Sequence, residues 1–418
     1  MKSRPARTVT RRAHPGFSAD PVRFWRALVR PLAHKQATPF YLFSAGPVEE
    51  ALEELDAHFG HLPVRHWLSC KTQPLRPLLQ WWRHKGLGIE VVSEFEFQAA
   101  LAEGFAPERI LVNGPAKQHW LPRQAKRGLR VNFDSMAEAR ALAALAKKLD
   151  WTTGVRWHTH EEFDPEEPEF DTQFGMTSDE AVTTLNWLRA ERVRVEMVHF
   201  HLRTNVQSAD VYERALKEVA TTCRAANFAP KFVDCGGGFP PPRVMTRDGH
   251  AIDAGFSLAD MGRLYERVLK WFPGAQELWL ENGRWLSARA GVLVVTILDV
   301  KTRANMRHFI CDGGRTLNAL VSNWESHALV PLETRSEKLV PTTVNGPTCM
   351  AFDKLGRFSL PEDVHTGDHL LWCEAGAYHL PWETHFSHGL AAVLWHDGKT
   401  VRVVRQREEF DEWWGRWR

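Results

Sequence analysis

The sequence of 418 residues has few cysteines and no dense cysteine framework. Its six cysteines are scattered without a Cys-x-x-Cys pair, which favours reduced thiols in a cytoplasmic protein over a disulfide-stapled one. No stretch approaches the roughly 18 continuous apolar residues that a membrane span needs. Residues 1–14 are basic and contain no acid. Because no apolar segment follows them, we interpret them as a solvated, disordered tail and not as a secretion signal.

The chain also lacks a strong charge of one sign. Its formal net charge is +2, so there is no electrostatic case for nucleic acid as the main partner. Apolar residues make up 44% and charged residues 25% of the sequence, which is normal for a globular protein outside membranes. The length suits one barrel-sized domain with a second, smaller one.

Strand-like and helix-like segments alternate from about residue 45 to about residue 285. For example, the strand-like run 66–70 precedes a helix-like run over 75–84. This sustained alternation predicts parallel strands with crossover helices, and eight or so such units suit a closed (β/α)8 barrel. We therefore expect an α/β protein whose barrel spans 38–285, with a first strand that the next domain could share.

The alternation of strand-like and helix-like segments ends after residue 285, where strand-like runs follow one another with little helix between them. Such runs lie at 292–300, 308–311, 369–373, 391–395 and 401–405. This pattern predicts a β-rich domain over 286–418, resembling a sandwich or barrel, that completes the active site.

Several residues with useful chemistry fall at the ends of strand-like runs in the first domain. They are Lys71, His201, the triple glycine 236–238 and Glu281. Catalytic groups of such barrels lie at the carboxyl ends of strands, so one barrel mouth could gather them. An amine, backbone amides that cradle a phosphate and a carboxylate that keeps a ring nitrogen charged suit pyridoxal 5'-phosphate. Taken singly, each has an ordinary explanation as a surface lysine, a core histidine, a turn or a solvated carboxylate.

The ordered set, together with Gly346-Pro347-Thr348-Cys349, resembles the pyridoxal-phosphate-dependent decarboxylases of fold type III. That family acts on ornithine, lysine, arginine and diaminopimelate, and the resemblance runs from about residue 38 to about residue 390. It implies decarboxylation of an amino acid to its amine by a homodimer with shared active sites.

The resemblance implies a role for each matching residue. Lys71 would join the cofactor's aldehyde through a Schiff base, His201 would stack on the cofactor ring, and Glu281 would pair with the ring nitrogen. His199 projects to the same face of the strand as His201, and either could lie at the mouth. The other expected cofactor contacts are Glu90, Arg156, Thr204, Gly236, Gly237, Gly238, Gly283, Arg284 and Tyr378.

The remaining matches and departures concern protonation and the substrate. Cys349 would reach the partner chain's site and help to protonate the carbanion left by CO₂ loss. The expected substrate contacts are Arg203, Asp312, Met350 and Asp353. Met350 replaces the family's usual acid, and Arg203 replaces a glycine beside the cofactor. These departures predict a substrate with an anionic or bulky side group instead of a plain diamino acid.

Three alternatives remain open at this point. The first is a racemase or epimerase on the same fold, and the second is a catalytically silent homologue that acts as a binding protein. The third is a metal site, for which the histidines at 379, 385 and 388 with Glu383 are candidates. No H-E-x-x-H or facial-triad spacing appears among them, so we expect no metal.

Overall fold

The computed structural model describes residues 16–162, 172–318, 325–333 and 335–418. The basic tail predicted for residues 1–14 lies outside these ranges. Within them, no helix is both long enough and apolar enough to cross a lipid bilayer.

The described chain begins with a helix that the sequence patterns did not predict. Helix α1 (Pro21–Ala33) starts after Asp20, whose side chain accepts a hydrogen bond from the N–H of Arg23, as is typical of an N-cap. Its apolar face packs with strand β1 (Phe40–Ser44) in one buried cluster. The N-terminal segment is therefore attached to the sheet that contains β1.

Eight parallel strands close into a barrel, which confirms the predicted α/β barrel architecture. The barrel strands are β2 (Val64–Ser69), β3 (Gly88–Val91), β4 (Ile110–Val112), β5 (Arg130–Phe133), β6 (Thr152–Trp157), β7 (Val195–Phe200), β8 (Phe232–Asp234) and β10 (Glu277–Leu280). The short strand β9 (Met245–Thr246) lies outside the barrel. Strand β10 closes the barrel by pairing with β2 on one side and β8 on the other.

Helices follow the barrel strands, and several of them begin at a serine. Ser93, Ser135, Ser208 and Ser257 each accept a hydrogen bond from a backbone N–H of the first turn, which satisfies an otherwise unpaired donor. The helices are α2 (Ala45–Phe59), α3 (Arg76–His84), α4 (Glu94–Ala102), α5 (Leu121–Gln124), α6 (Met136–Lys148), α7 (Ser178–Ala190), α8 (Ala209–Ala225), α9 (Leu258–Trp271), α10 (Arg284–Ser287) and α11 (Phe410–Gly415). The strand-to-helix junctions are thus fixed locally.

A β-rich second part follows α10, and its main sheet has nine strands. Strand β1 lies within this sheet, antiparallel to β11 and parallel to β18. The strands after the barrel are β11 (Gly291–Arg303), β12 (Met306–Cys311), β13 (Glu325–Ser326), β14 (Leu329–Pro331), β15 (Leu339–Asn345), β16 (Lys354–Pro361), β17 (His369–Trp372), β18 (Ala392–His396) and β19 (Val401–Arg405). Sheet and barrel are therefore linked through β1.

The barrel interior is filled with large side chains near the amino-terminal ends of its strands. Trp67, Leu111, Met197 and Trp279 form a separate buried cluster there. The guanidinium of Arg130 lies 5.0 Å from the Trp279 ring centroid. These side chains fill the barrel interior, and the functional end of such a barrel is the one at the carboxyl ends of its strands.

Gly154→Ala is expected to lower the free energy of unfolding by about 1–3 kcal/mol, because overpacking strains a close-packed core. A Cβ atom at Gly154 would lie 2.2 Å from Asn132 Oδ1 and 2.6 Å from Met197 Cβ. Urea unfolding measures the change. Gly415→Ala is the control, because its added Cβ would meet no described atom within 4 Å. Equal stability of the two variants would show that the barrel interior tolerates the methyl group.

Candidate active site

A cavity of about 400 Å³ opens at the carboxyl ends of the barrel strands. It is lined by seven of the residues predicted from the sequence, namely Lys71, Glu90, Arg156, His201, Arg203, Thr204 and Glu281. Lys71 follows β2, His201 follows β7 and Glu281 follows β10. The closed barrel therefore brings these distant positions to one mouth, as expected for this architecture.

Lys71 and Glu90 form an ion pair at this mouth, with Nζ 3.4 Å from Glu90 Oε2. The Lys71 side chain remains one-third exposed at 33%, whereas that of Glu90 is 1% exposed. Burial acts to lower the pKa of Lys71, but Glu90 and the other nearby acidic groups outweigh it and hold the pKa above its usual value. Burial raises the pKa of Glu90. Glu90 is therefore a nearby acceptor for the proton that the amine must lose to act as a nucleophile.

Glu281 lies at the centre of a buried polar cluster. Its carboxylate oxygens lie 3.6 Å from His199 Nε2 and 3.6 Å from His201 Nδ1, and it accepts a hydrogen bond from the amide of Asn113. Burial acts to raise the pKa of Glu281, but the two histidines outweigh it and hold the pKa well below its usual value. Burial, with Glu281 next, raises the pKa of neighbouring Asp234. The pKa values of Glu281 and Asp234 are therefore shifted in opposite directions, which makes Glu281 the stronger acid of the two.

The two histidine rings of the same cluster lie beside the Glu281 carboxylate, with the His199 side chain 1% exposed and that of His201 27% exposed. Burial lowers the pKa values of His199 and His201. Donor atoms of these two rings and of Glu281 lie within 4.8 Å of one another, a spacing that a metal ion could also use. The absence of a metal thus stays a prediction.

The glycine-rich loop packs directly against this cluster. Gly236 and Gly238 have φ values of +64° and +105°, a region in which residues with a Cβ atom are strained. A Cβ atom on Gly237 would lie 2.5 Å from the Glu281 carbonyl oxygen. The N–H of Gly237 donates to His201 Nδ1 at 3.1 Å. Glycine is therefore required here both for the turn and for the close approach.

Arg284 connects the barrel mouth to residues of the second part. Its Nε donates to Thr204 Oγ1 at 3.1 Å, and its guanidinium carbon lies 4.7 Å from the Tyr378 ring centroid. Gly283 packs closely here too, because a Cβ atom would lie 2.3 Å from Thr72 Cγ2. Arg284 thus contacts two other residues that were predicted to bind the cofactor, Thr204 and Tyr378.

Arg156 is held in the cavity by a carboxylate and an aromatic ring. Its Nη1 lies 3.9 Å from Asp134 Oδ1, and its guanidinium carbon lies 4.7 Å from the Phe174 ring centroid. Glu162 also lines the cavity, and its burial raises its pKa to about 7. The sequence patterns missed Asn113, Glu162 and Phe174. Of these three residues, only Asn113 could have been predicted to lie at the barrel mouth, because it directly follows strand β4.

Ten predicted residues do not line this cavity of the described chain. Six of them are the cofactor contacts Gly236, Gly237, Gly238, Gly283, Arg284 and Tyr378, and the other four are Asp312, Cys349, Met350 and Asp353. Cys349 is exposed. Asp353 accepts hydrogen bonds from the N–H groups of Thr348 at 3.0 Å and Arg315 at 2.6 Å, so it orders the turn before Cys349. Asp312 accepts from the N–H of Thr296 at 2.8 Å. Both aspartates are thus engaged in structural contacts within one chain.

Comparison with known proteins shows similarity to pyridoxal-dependent decarboxylases. Residues 45–288 match the family model of the pyridoxal-dependent decarboxylase, pyridoxal binding domain. The diaminopimelate decarboxylase of Actinosynnema pretiosum subsp. auranticum is 29% identical over 83% of this chain and 81% of that protein. The enzyme of the same name from Deinococcus radiodurans is 29% identical over 93% of this chain and 98% of that protein.

Solved structures show the same fold at lower identity. The diaminopimelate decarboxylase from Helicobacter pylori complexed with L-lysine gives a TM-score of 0.78 at 24% identity, covering 92% of this chain and 98% of that chain. The Paramecium bursaria Chlorella virus arginine decarboxylase gives a TM-score of 0.74 at 20% identity, covering 89% of this chain and 99% of that chain. At these identities the two structures support the barrel with its β-rich partner, and not a substrate.

Proposed function

Because this chain belongs to the pyridoxal-dependent decarboxylase family, it is a carboxy-lyase that uses pyridoxal 5'-phosphate, and we propose that its substrate is an amino acid with an anionic or bulky side group. The observation that carries this proposal is the position of Arg203, which lines the same cavity as Lys71 and Glu281. The relatives named above indicate the reaction type, and the substrate is inferred from this chain's own residues.

The residues of the cavity fit the cofactor. The loop 236–238 is a cradle that side chains would fill, since a Cβ atom on Gly236 would lie 2.6 Å from His201 Nδ1. Both ring nitrogens of His199 are buried without a hydrogen bond in the described part of the chain. The charged carboxylate of Glu281 suits a protonated pyridine nitrogen. These features support the assignment of the ring to the His201 and Glu281 end, and of the phosphate to the glycines, Thr204 and Arg284.

Bound pyridoxal phosphate supplies an electron sink for the pair of electrons left by the departing carboxylate. Lys71 would hold the cofactor through its amine and would serve again in release of the product amine. Glu90 takes the proton that the lysine amine loses. Glu281 keeps the ring nitrogen charged, and His201 orients the ring. The protein thus contributes orientation and electrostatics, which are the usual contributions of the chain in cofactor enzymes.

Arg203 provides the substrate preference in this proposal. Arg203 is an exposed residue, and its Nη1 donates to the carbonyl oxygen of Glu161 at 3.2 Å. Arg203 and Arg156 are the arginines of the cavity lining. A guanidinium binds a carboxylate or phosphate through a planar pair of donors. A substrate whose side chain carries such an anion therefore complements this part of the cavity better than a diamino acid does.

A second copy of the chain is proposed to complete the site. Cys349 is exposed on a turn that Asp353 orders, and it does not line the cavity of its own described chain. Family members use the matching cysteine across a dimer interface, and we propose the same homodimer here. In it, Cys349 and Met350 would reach the partner's cavity, and Cys349 would help to return a proton to the product.

Arg203→Gly is expected to lower kcat/KM for an amino acid with an anionic side group by about tenfold or more, because one charge-assisted contact is lost. CO₂ release from a panel of amino acids and conjugates measures this. Lysine, ornithine and diaminopimelate are the comparison substrates, and their kcat/KM is expected to stay level or rise in the variant. High wild-type kcat/KM with any of the three would refute the substrate proposal while leaving the reaction type intact.

A further inference from the structure

A buried carboxylate lies beside the side chains assigned to the cofactor phosphate. Glu325 is 6% exposed and forms an ion pair with Arg284. It also accepts a hydrogen bond from Asn205 Nδ2 at 3.3 Å, and its Oε2 lies 3.1 Å from His327 Nε2. The sequence patterns gave no sign of this residue, which lies outside the motifs quoted from the sequence.

The location of Glu325 is electrostatically unusual. A phosphate brings about two negative charges, and a buried carboxylate nearby repels them in a medium of low effective dielectric constant. In the described structure, the positive charge of Arg284 offsets the negative charge of Glu325. The full charge of Arg284 is therefore not available to a phosphate. Burying such a carboxylate costs desolvation energy, which is offset only if the carboxylate holds a partner in place.

The contacts of Arg284 suggest how the cation is shared. Its Nη1 is paired with Glu325, its Nε donates to Thr204, and its plane lies against the Tyr378 ring. Nη2 is the guanidinium nitrogen for which the described residues provide no hydrogen bond among these contacts. An arginine has donors on two edges of a rigid plane, so Arg284 can hold Glu325 on one side and a phosphate oxygen on the other.

We propose that Glu325 is a positioning residue that fixes the guanidinium of Arg284 at the phosphate end of the site and weakens the binding of the cofactor phosphate by sharing that cation. The inference rests on the proposed assignment of Arg284 to the phosphate. It adds a role for a residue outside the family's motifs. Its consequence is a cofactor site that is ordered before the cofactor arrives and that releases the cofactor more readily than an unshared arginine would allow.

Glu325→Gln tests the proposal, because glutamine keeps the shape and a hydrogen-bond acceptor but removes the charge. Cofactor-free protein is titrated with pyridoxal phosphate and, separately, with pyridoxal, which lacks the phosphate. We expect the Kd for pyridoxal phosphate to fall by about tenfold, with an unchanged Kd for pyridoxal. The Tm of the cofactor-free variant should fall, because Arg284, whose side chain is only 13% exposed, loses its counter-ion.

The affinity for pyridoxal phosphate is expected to rise while the Tm falls, a combination that a merely structural role would not produce. A role confined to folding would lower both the Tm and the affinity for pyridoxal phosphate, and this result would overturn the proposal. So would a change of equal size with pyridoxal. The titration needs no substrate, so a failure of the substrate assignment would leave it unaffected.

Two further variants complete the experiment. Glu383→Gln is the matched control, since Glu383 is also a buried carboxylate paired with an arginine, but its partner Arg405 is not assigned to the cofactor phosphate. It should lower the Tm and leave both affinities unchanged. Glu325→Asp retains the charge and lengthens the ion pair, so it should bind pyridoxal phosphate between the wild type and the glutamine variant. If Glu325→Gln does not fold, weaker binding by Glu325→Asp than by the wild type overturns the proposal.

Discussion

Lys71→Ala is expected to lower kcat/KM for decarboxylation by about 10⁴-fold or more, because the variant lacks the amine that we propose binds the cofactor and releases the product. No other lysine lines the cavity of the described chain, so no neighbour can replace it. Release of CO₂ by purified protein with saturating pyridoxal phosphate measures the loss. The absorbance of the lysine-bound cofactor should disappear in the same preparation.

Lys85→Ala is the control for this experiment. Lys85 is a lysine of similar exposure, 32% against 33% for Lys71, and it is paired with Glu49 away from the mouth. Its replacement should leave kcat/KM near the wild-type value. Residual activity in Lys71→Ala within a factor of about ten of the wild type would mean that the covalent role belongs to another group.

Glu281→Gln is expected to lower kcat by about 10²–10³-fold, the usual effect of removing one preorganised charge from a buried site. The carboxylate is held ionised by His199 and His201, which keep its pKa low. Glutamine preserves the size and the hydrogen bond from Asn113 but cannot hold a pyridine nitrogen in its protonated form. Because the carboxylate acts on the reacting cofactor, the loss should appear in kcat much more than in KM.

The control for Glu281 lies on the same strand. Glu277 begins β10 at the opposite end of the barrel, where it pairs with Arg65 at 2.6 Å. Glu277→Gln should reduce stability slightly and leave kcat unchanged. An equal fall of kcat in both variants would indicate general damage to the barrel. An unchanged kcat in Glu281→Gln would show that the carboxylate has no role in the reaction.

The barrel and most of its mouth could be predicted because both depend on short-range signals. Strand and helix periodicity is local, and a closed parallel barrel places every strand end at one rim. Lys71 and Glu281 each follow a barrel strand, so the sequence alone predicts that they lie at the same rim. The glycines of the loop 236–238 carry a similar local signal, since their backbone geometry excludes side chains.

The contacts that could not be predicted are those made between distant segments. Glu325 reaches Arg284 across the junction of the barrel with the second part, and nothing in the residues around 325 indicates a buried ion pair. Strand β1 joins the distant strands β11 and β18, a pairing that periodicity does not specify. Asp312 illustrates the reverse case, because its motif suggested a substrate contact and its carboxylate bonds to Thr296 in the described chain.

Covalent labelling of the lysine tests the central claim most directly. Protein saturated with pyridoxal phosphate is reduced with borohydride, digested and mapped by mass spectrometry, with Lys71→Ala treated in parallel. One labelled peptide containing Lys71 in the wild type, and its disappearance in the variant, is the expected result. A label on Lys117, on another lysine, or on none would contradict the assignment of the site.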